Sequence, residues 1–407
     1  MKILRLSAYC EPEQISSSHL TNDLNEAFCN AGFEIENYVP MPTRGVGDDV
    51  RKEYKKKKCE IKYEGKMTIH RFSMFRERKN ALLRAIRYIL VNIVQYFKGC
   101  RAKNVSLIYS ASTPPTQGVL CGMVKKRLKV PFVYNLQDIF PDSLVNSGLT
   151  KKGSLIWKIG RRIEDYTYRS ADKIIVISEG LKKNIIEKGV PEDKISVVSN
   201  WIDLDNIVPV PRSKNTLIEE LGIPSNKFIV VYAGNLGETQ GADVILKAAA
   251  DLQSIEDIVF VIIGGGSEYD SICKSAKALP NVIVHPLFPA SRISEVYSLG
   301  DVAIITCKKG TGNAGFPSKT WSIMACNTPI IASFDEDSDL AGVLNRIKSC
   351  VCVQPENRTD LGNAIIEAYN KCSRNEETLE LRKYAVENAS KDRCVNRYIS
   401  VIQEALS

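Results

Sequence analysis

Short, nearly continuous apolar runs alternate along this chain with longer stretches of helical periodicity, and the whole pattern occurs twice. KILRLSAY (2–9), EIENYVP (34–40), VSLIYSAS (105–112), PFVYNLQD (131–138), DKIIVIS (172–178) and KISVVSN (194–200) make the first series. FIVVYAG (228–234), IVFVIIGGG (258–266), NVIVHP (281–286), DVAIIT (301–306), TPIIAS (328–333) and CVCVQP (350–355) make the second. Strands that are apolar along their length belong to parallel sheets covered on both faces, with the helical intervals as crossovers. HLTNDLNEAFCNAG (19–32) reads as one such helix, and Ser178 and Gly189 frame another as cap and terminator. Residues 207–226 hold three Pro and no long apolar run, which predicts a linker. The expected architecture is α/β, two Rossmann-like parallel-sheet domains facing across a cleft. A first domain spans 1–206, a second spans 227–385, and a C-terminal helical segment, 386–407, is placed to cross back to the first. Open parallel sheets bind ligands beyond the carboxyl ends of their strands, so each wall can hold one substrate.

Charge narrows the function classes. The 407 residues carry +8 overall, yet residues 51–100 alone hold 15 Lys/Arg against 4 Asp/Glu, or +11, leaving −3 for the remainder. A local basic patch does not suit a whole-surface nucleic-acid binder. Twelve Cys without a C-x-x-C pair, in a chain large enough to need no staples, read as reduced core residues. Three scattered His offer little for a zinc site. MKILRLSAYC opens as a buried strand, not as a signal peptide, and no uncharged apolar stretch reaches membrane-spanning length. A cytoplasmic protein resting on the inner face of the cell membrane is expected.

Three glycine-rich segments carry the candidate chemistry. Gly234-Asn235-Leu236-Gly237 follows a strand, with Gln240 and a helix after it, a layout that can present backbone N–H groups to an anion. Gly264, Gly265 and Gly266 end another strand, where glycine permits close backbone approach. The third segment, GTGNAGFPSKTWSIMACN (310–327), contains a G-x-G-x-x-G without a helix directly behind it. Its Lys319-Thr320 pair follows Ser318 and Pro317 where a Walker A loop requires Gly, so an ATPase is excluded. What remains is Lys319 in the first turn of a helix, where the dipole disfavours a cation unless a bound diphosphate cancels both.

In the first domain, Ser16, Ser17, Ser18 and His19 follow the opening strand and can donate to an acceptor or cap a helix. Asn135, Gln137 and Asp138 end an apolar strand, and Asp138 can orient an acceptor hydroxyl or take its proton. Residues 76–98 place Leu82, Ile86, Ile89, Ile93 and Phe97 at helical spacing, with Arg84, Arg87, Tyr88 and Lys98 at the edge. A basic amphipathic helix of this kind suits an anionic membrane surface.

GNLGETQGADVILKAA, VIIGGG, NVIVHPLFPASRISEVYSLGDVAIIT, FPSKTWSIMACNTPIIAS and VQPENRTDLGNAI resemble the retaining GT-B glycosyltransferases of family 4. The bacterial subgroup that builds capsule, O-antigen or exopolysaccharide is the nearest in pattern. QDIFPDS and ADKIIVISEGLKKNIIEKGVPEDKISVVSNWID in the first domain fit the same group. The resemblance implies a nucleotide-sugar donor, UDP-linked, and a lipid-linked saccharide acceptor. It places Gly234–Gly237 and Gly264–Gly266 beside the nucleotide. Pro317, Ser318, Lys319, Thr320 and Ser322 then meet the diphosphate and ribose, and Gly312, Asn313, Ala314, Gly315 and Phe316 approach the donor sugar. The family's paired Glu, with seven residues between them, fall on Ala314 and Ser322, and its Arg and Lys after the opening glycine fall near Asn235 and Gln240. Lys319 is thereby left as the diphosphate cation.

With no Asp-x-Asp beside the glycine loops, transfer without metal or other cofactor is expected. The leaving diphosphate is stabilised by Lys319 and by N–H groups around 235–237 and 318–320. A GT-B epimerase or phosphorylase, or a non-catalytic nucleotide-sugar-binding subunit, would share the fold.

Overall fold

The computed structural model describes residues 1–13, 18–77, 81–146, 148–371 and 379–407. The chain divides into two compact units, Met1–Ser199 with Cys394–Ser407, and Asn200–Arg393.

The first unit is built on eight strands: β1 (Lys2–Leu6), β2 (Glu34–Pro40), β3 (Cys59–Lys62), β4 (Met67–Phe72), β5 (Val105–Ala111), β6 (Phe132–Leu136), β7 (Lys173–Val176) and β8 (Ile195–Val197). Their order is β3-β4-β2-β1-β5-β6-β7-β8. All neighbours run parallel except β3 and β4, which form an antiparallel hairpin at the edge. β6 is buried at every position, as a strand covered on both faces must be. The edge hairpin is not among the strands expected from sequence. Its residues are half polar, and its turn runs through Tyr63, Glu64 and Gly65, all at positive φ.

The second unit carries β9 (Phe228–Asn235), β10 (Ile258–Gly265), β11 (Val282–Pro286), β12 (Val302–Thr306), β13 (Ile330–Ser333) and β14 (Val351–Val353). Their order is β11-β10-β9-β12-β13-β14, all parallel. Alternate residues of β9 feed two cores, as strand geometry requires. Ile229, Val231 and Ala233 pack with Trp321, Ile323 and Met324, whereas Phe228, Val230 and Tyr232 pack with Val244, Ile245 and Ala248. Strand order reverses between β9 and β12, and a ligand crevice lies at the carboxyl ends beside such a reversal.

Residues 207–226 lie within the second unit, where Ile207, Leu217 and Ile223 join the core. The Arg382 guanidinium ties this segment down, donating to the carbonyls of Leu204, Ile207 and Ala325 at 2.7–2.8 Å. The last helix, Lys391–Leu406, gives Cys394–Ser407 to the first unit, with Tyr398 fully buried and donating to Asn135 Oδ1 at 3.2 Å. The described cysteines are free thiols, most of them buried. Among the described residues, no helix is long and apolar enough to cross a membrane.

Candidate active site

The two glycine motifs of the second unit are partners across one strand pair: Gly234 stands opposite Gly264, and Asn235 opposite Gly265. Most of their glycines serve loop packing. A Cβ on Gly264 would stand 2.6 Å from Leu236 Cδ1, and one on Gly266, at φ +145°, 2.6 Å from the Leu236 carbonyl oxygen. Leu236 is fully buried beneath this crossing, so its side chain does not face a ligand. Two of the amides expected to meet an anion are also engaged. The Leu236 N–H donates to Gly265 O at 2.8 Å, and the Gly237 N–H to Gln240 Oε1 at 3.1 Å. That same Gln240 oxygen accepts from Asn235 Nδ2 at 2.9 Å. The sequence expected an open N–H cradle at 235–237; the structure has a turn closed on itself.

Lys319 differs. It opens the helix Lys319–Ala325 just after the loop that follows β12. Its ammonium is buried and has no hydrogen-bond partner among the described residues. It sits 3.9 Å from the centroid of the Tyr232 ring, and a Cβ on Gly234 would lie 3.5 Å from it. Burial alone pushes its pKa down to about 7, because removing an ammonium from water disfavours the charged form. The aromatic face returns part of that loss as a cation–π contact. Tyr232 was hidden in sequence as one more core residue of β9. Its hydroxyl is fixed by a 2.7 Å bond to Asn235 O, which holds the ring beneath the cation. The hydroxyls of Thr320 and Thr306, the latter ending β12, are likewise buried without a hydrogen-bond partner among the described residues.

Around this cation, Ser322 is buried, Ser318 is exposed, and Pro317 O accepts from Thr320 N at 3.0 Å. Gly312–Ala314 forms a short 3-10 turn, held by Asp335, whose carboxylate accepts from Gly310 N at 3.0 Å and Gly312 N at 2.7 Å. Asp335 was missed in sequence because it lies past β13, away from any glycine motif. Asn313 is exposed. Phe316 stacks on Trp321 at 5.0 Å and packs against the core, anchoring the loop.

In the first unit, Asp138 is exposed just beyond β6. Partial desolvation raises its pKa, opposed by hydrogen bonds from Ser143 and the Ile139 amide. Gln137 donates to Asn135 Oδ1 at 2.8 Å, and Asn135 Nδ2 to Tyr109 OH at 2.9 Å, so Asn135 is a buried structural hub. Ser16 and Ser17 lie outside the described residues, as does the side chain of Ala314. Ser18 begins the helix Ser18–Asn30, its hydroxyl donating to Glu13 O at 3.2 Å, and His19 is exposed.

The basic helix, Ala81–Gly99, corrects the sequence reading. Arg87 is wholly buried and so cannot meet a membrane, and the half-buried Tyr88 brings its hydroxyl to within 2.5 Å of Tyr9 OH. The polar stripe faces the sheet: Gln95 is buried and donates to the carbonyls of Ser7 and Tyr38 at 2.9 and 2.8 Å. The apolar stripe of Leu83, Ile86, Ile89, Leu90, Ile93 and Phe97 faces outward.

Among the described residues, no group of three or more His, Cys, Asp or Glu side chains could hold a metal ion.

Two families match the chain, one after the other: Glycosyltransferase Family 4 over residues 20–206, and Glycosyl transferases group 1 over residues 213–392. The chain is a glycosyltransferase of the GT-B fold. It is 24% identical to WcaI of Escherichia coli K12, named for colanic acid biosynthesis, across 99% of this chain and 100% of that protein. To WbjE of Pseudomonas aeruginosa, named a glycosyltransferase, it is 28% identical over 60% of this chain and 61% of that protein. HepE from Anabaena, solved in complex with UDP, superposes on the glycosyltransferase with a TM-score of 0.71 at 14% identity, covering 99% of this chain and all of that one.

Proposed function

We propose that this glycosyltransferase moves a sugar from a UDP-linked donor to a lipid-linked saccharide acceptor, with retention, in the synthesis of a surface polysaccharide. The observation that carries the reading is the buried ammonium of Lys319 at the carboxyl end of β9, without a hydrogen-bond partner among the described residues. A buried cation without a counter-ion is costly, and a diphosphate supplies the missing charge and hydrogen bonds. The UDP complex of HepE and the name of WcaI support the donor and the pathway class.

In the reaction, the bond from the anomeric carbon to the diphosphate breaks and its electron pair leaves with the phosphate oxygen. Lys319 stabilises that growing charge from a fixed position, which is where electrostatic preorganisation acts. The acceptor oxygen bonds to the anomeric carbon on the same face. Its proton passes to the departing phosphate oxygen. Ser322 and the 312–316 loop border ribose and sugar.

Membrane attachment follows from the inverted helix. Its outward apolar stripe adjoins Met123 and Ile163 in a groove, and Leu155, Ile156 and Ile159 are also exposed. An apolar surface of this extent, in a sequence region of +11, fits an anionic bilayer rather than water. Turnover of a panel of UDP-, GDP- and dTDP-sugars with membrane extracts as acceptor tests the reading. Transfer from a UDP-sugar to a lipid-extractable product is expected. Hydrolysis or epimerisation with no labelled lipid product would overturn it.

A further inference from the structure

We propose that the first unit holds a phosphoryl-binding site, formed by Arg44, Arg84 and Arg87 around Glu77, which recognises the phosphate of the acceptor. The proposal rests on the acceptor reading above and deepens it.

The residues gather beyond the carboxyl ends of three adjacent strands. Tyr9 and Glu13 follow β1, Arg44 follows β2, and Glu77 follows β4. Arg84 and Arg87, three positions apart, face them from the helix Ala81–Gly99. Arg87 is completely buried. Its Nε donates to Phe75 O at 3.1 Å, yet neither terminal nitrogen has a hydrogen-bond partner among the described residues. The nearest carboxylate is Glu77, at 3.9 Å, beyond hydrogen-bond reach. Glu77 is shared among three guanidinium groups at similarly long range, Arg44 at 3.9 Å and Arg84 at 3.8 Å. Its carboxylate accepts a hydrogen bond from Tyr9 OH at 2.9 Å.

Glu13 does not repair the deficit. It is buried, and its oxygens accept from the amides of Cys10, Thr43 and Arg44 at 2.8–3.3 Å. Arg51, which also faces Arg87 and Glu13, adds a further cation, its guanidinium bonded to the carbonyls of Pro42 and Met74. Apart from the Arg76–Asp48 pair at 2.7 Å, four arginines among the described residues thus face two carboxylates, and Arg87, whose terminal donors have no hydrogen-bond partner among those residues, is wholly buried. A dianionic phosphoryl group matches both the excess charge and the forked donors. Arg44 and Arg84 are the accessible members, their side chains 42% and 36% exposed, so a phosphate can approach between them and take over the place of Glu77.

Inorganic pyrophosphate serves as the probe, titrated calorimetrically into the full chain at saturating UDP so that the donor site is occupied. One pyrophosphate per chain is expected, weakened by roughly tenfold or more in Arg44→Ala/Arg84→Ala and lost in Arg87→Gln. Glu77→Gln is expected to tighten binding, an effect that a merely structural ion cluster would not give. If Arg87→Gln does not fold, the surface double variant decides. No uptake by the UDP-loaded chain, or uptake unaffected by the double variant, overturns the site. Farnesyl diphosphate and farnesol are the second arm. Competition by the diphosphate alone assigns the phosphate to a lipid carrier. Pyrophosphate uptake without competition keeps the site, assigns it to free phosphate, and removes the lipid-linked acceptor.

Discussion

Both units gather charge at the carboxyl ends of parallel strands, but they treat it in opposite ways. In the second unit one ammonium is buried against an aromatic ring, between turns locked by glycine packing, with no hydrogen-bonding partner among the described residues. In the first unit several arginines are loosely shared among few acids, at separations longer than hydrogen bonds. A lone fixed cation is suited to one ligand group in one place, the requirement for stabilising a leaving group. Exchangeable ion pairs tolerate a ligand that arrives, is used and departs. The contrast therefore reads as chemistry on one side and recognition on the other.

The sharpest way to break that contrast is Lys319→Ala. Loss of a preorganised charge at the leaving group should lower transfer about 10²–10³-fold, with an unchanged far-UV circular dichroism spectrum. A turnover near wild type would make the two units equivalent and leave the leaving group without its cation.

Proton linkage sharpens the same comparison. Burial depresses the free Lys319 pKa to about 7, while a diphosphate favours the charged form, so donor binding must take up a proton above neutrality. UDP-sugar affinity should be about tenfold weaker at pH 8 than at pH 6, following the protonated fraction of a group with that pKa. Lys319→Met should flatten this profile in calorimetric titrations. The sign for stability is the reverse of the usual lysine. The unfolded chain holds this proton up to its ordinary pKa of 10.5, and the ligand-free fold releases it near 7. The contribution of this group to stability therefore rises with pH between those values, and it is least favourable below 7.

The membrane surface of the first unit gives a smaller effect. Ile89→Glu with Ile93→Glu should reduce flotation with anionic liposomes more than Arg84→Glu does, the latter by about fivefold, near 1 kcal/mol per basic residue. Equal effects would mean that charge, not the outward apolar stripe, makes the attachment.

How far this was legible from sequence depends on whether a property belongs to a segment or to its neighbours. The parallel sheets were legible because β6 and β12 are mostly apolar and buried along their whole length, whichever neighbour they acquire. The β3–β4 hairpin was not, since a half-exposed edge strand keeps its polar residues and lies in a lysine-rich stretch. Lys319 stood out as an unfavourable cation at a helix start, but its burial depends on Tyr232 and Gly234, some 85 residues earlier. Periodicity placed an amphipathic helix at 81–99 and could not tell which stripe faces inward. Arg87 and Gln95 are buried with their N–H groups donating to the backbone carbonyls of Phe75, Ser7 and Tyr38, and only the fold brings those carbonyls there.

The glycines allow the finest test of the contrast, because packing and ligand approach make different demands on adjacent positions. Gly266 has φ +145°, and a Cβ there would stand 2.6 Å from the Leu236 carbonyl oxygen, so Gly266→Ala should destabilise the fold by about 1–3 kcal/mol in urea. Gly265 has no such conflict: a Cβ would meet Leu287 Cδ1 at an ordinary 3.7 Å. Gly265→Ala should therefore leave the urea midpoint nearly unchanged. If it also leaves UDP affinity unchanged, this turn acts as a locked frame for Lys319 and does not contact the nucleotide. If affinity falls while stability holds, the nucleotide reaches the carboxyl end of β10, and the second unit contributes backbone as well as the Lys319 ammonium.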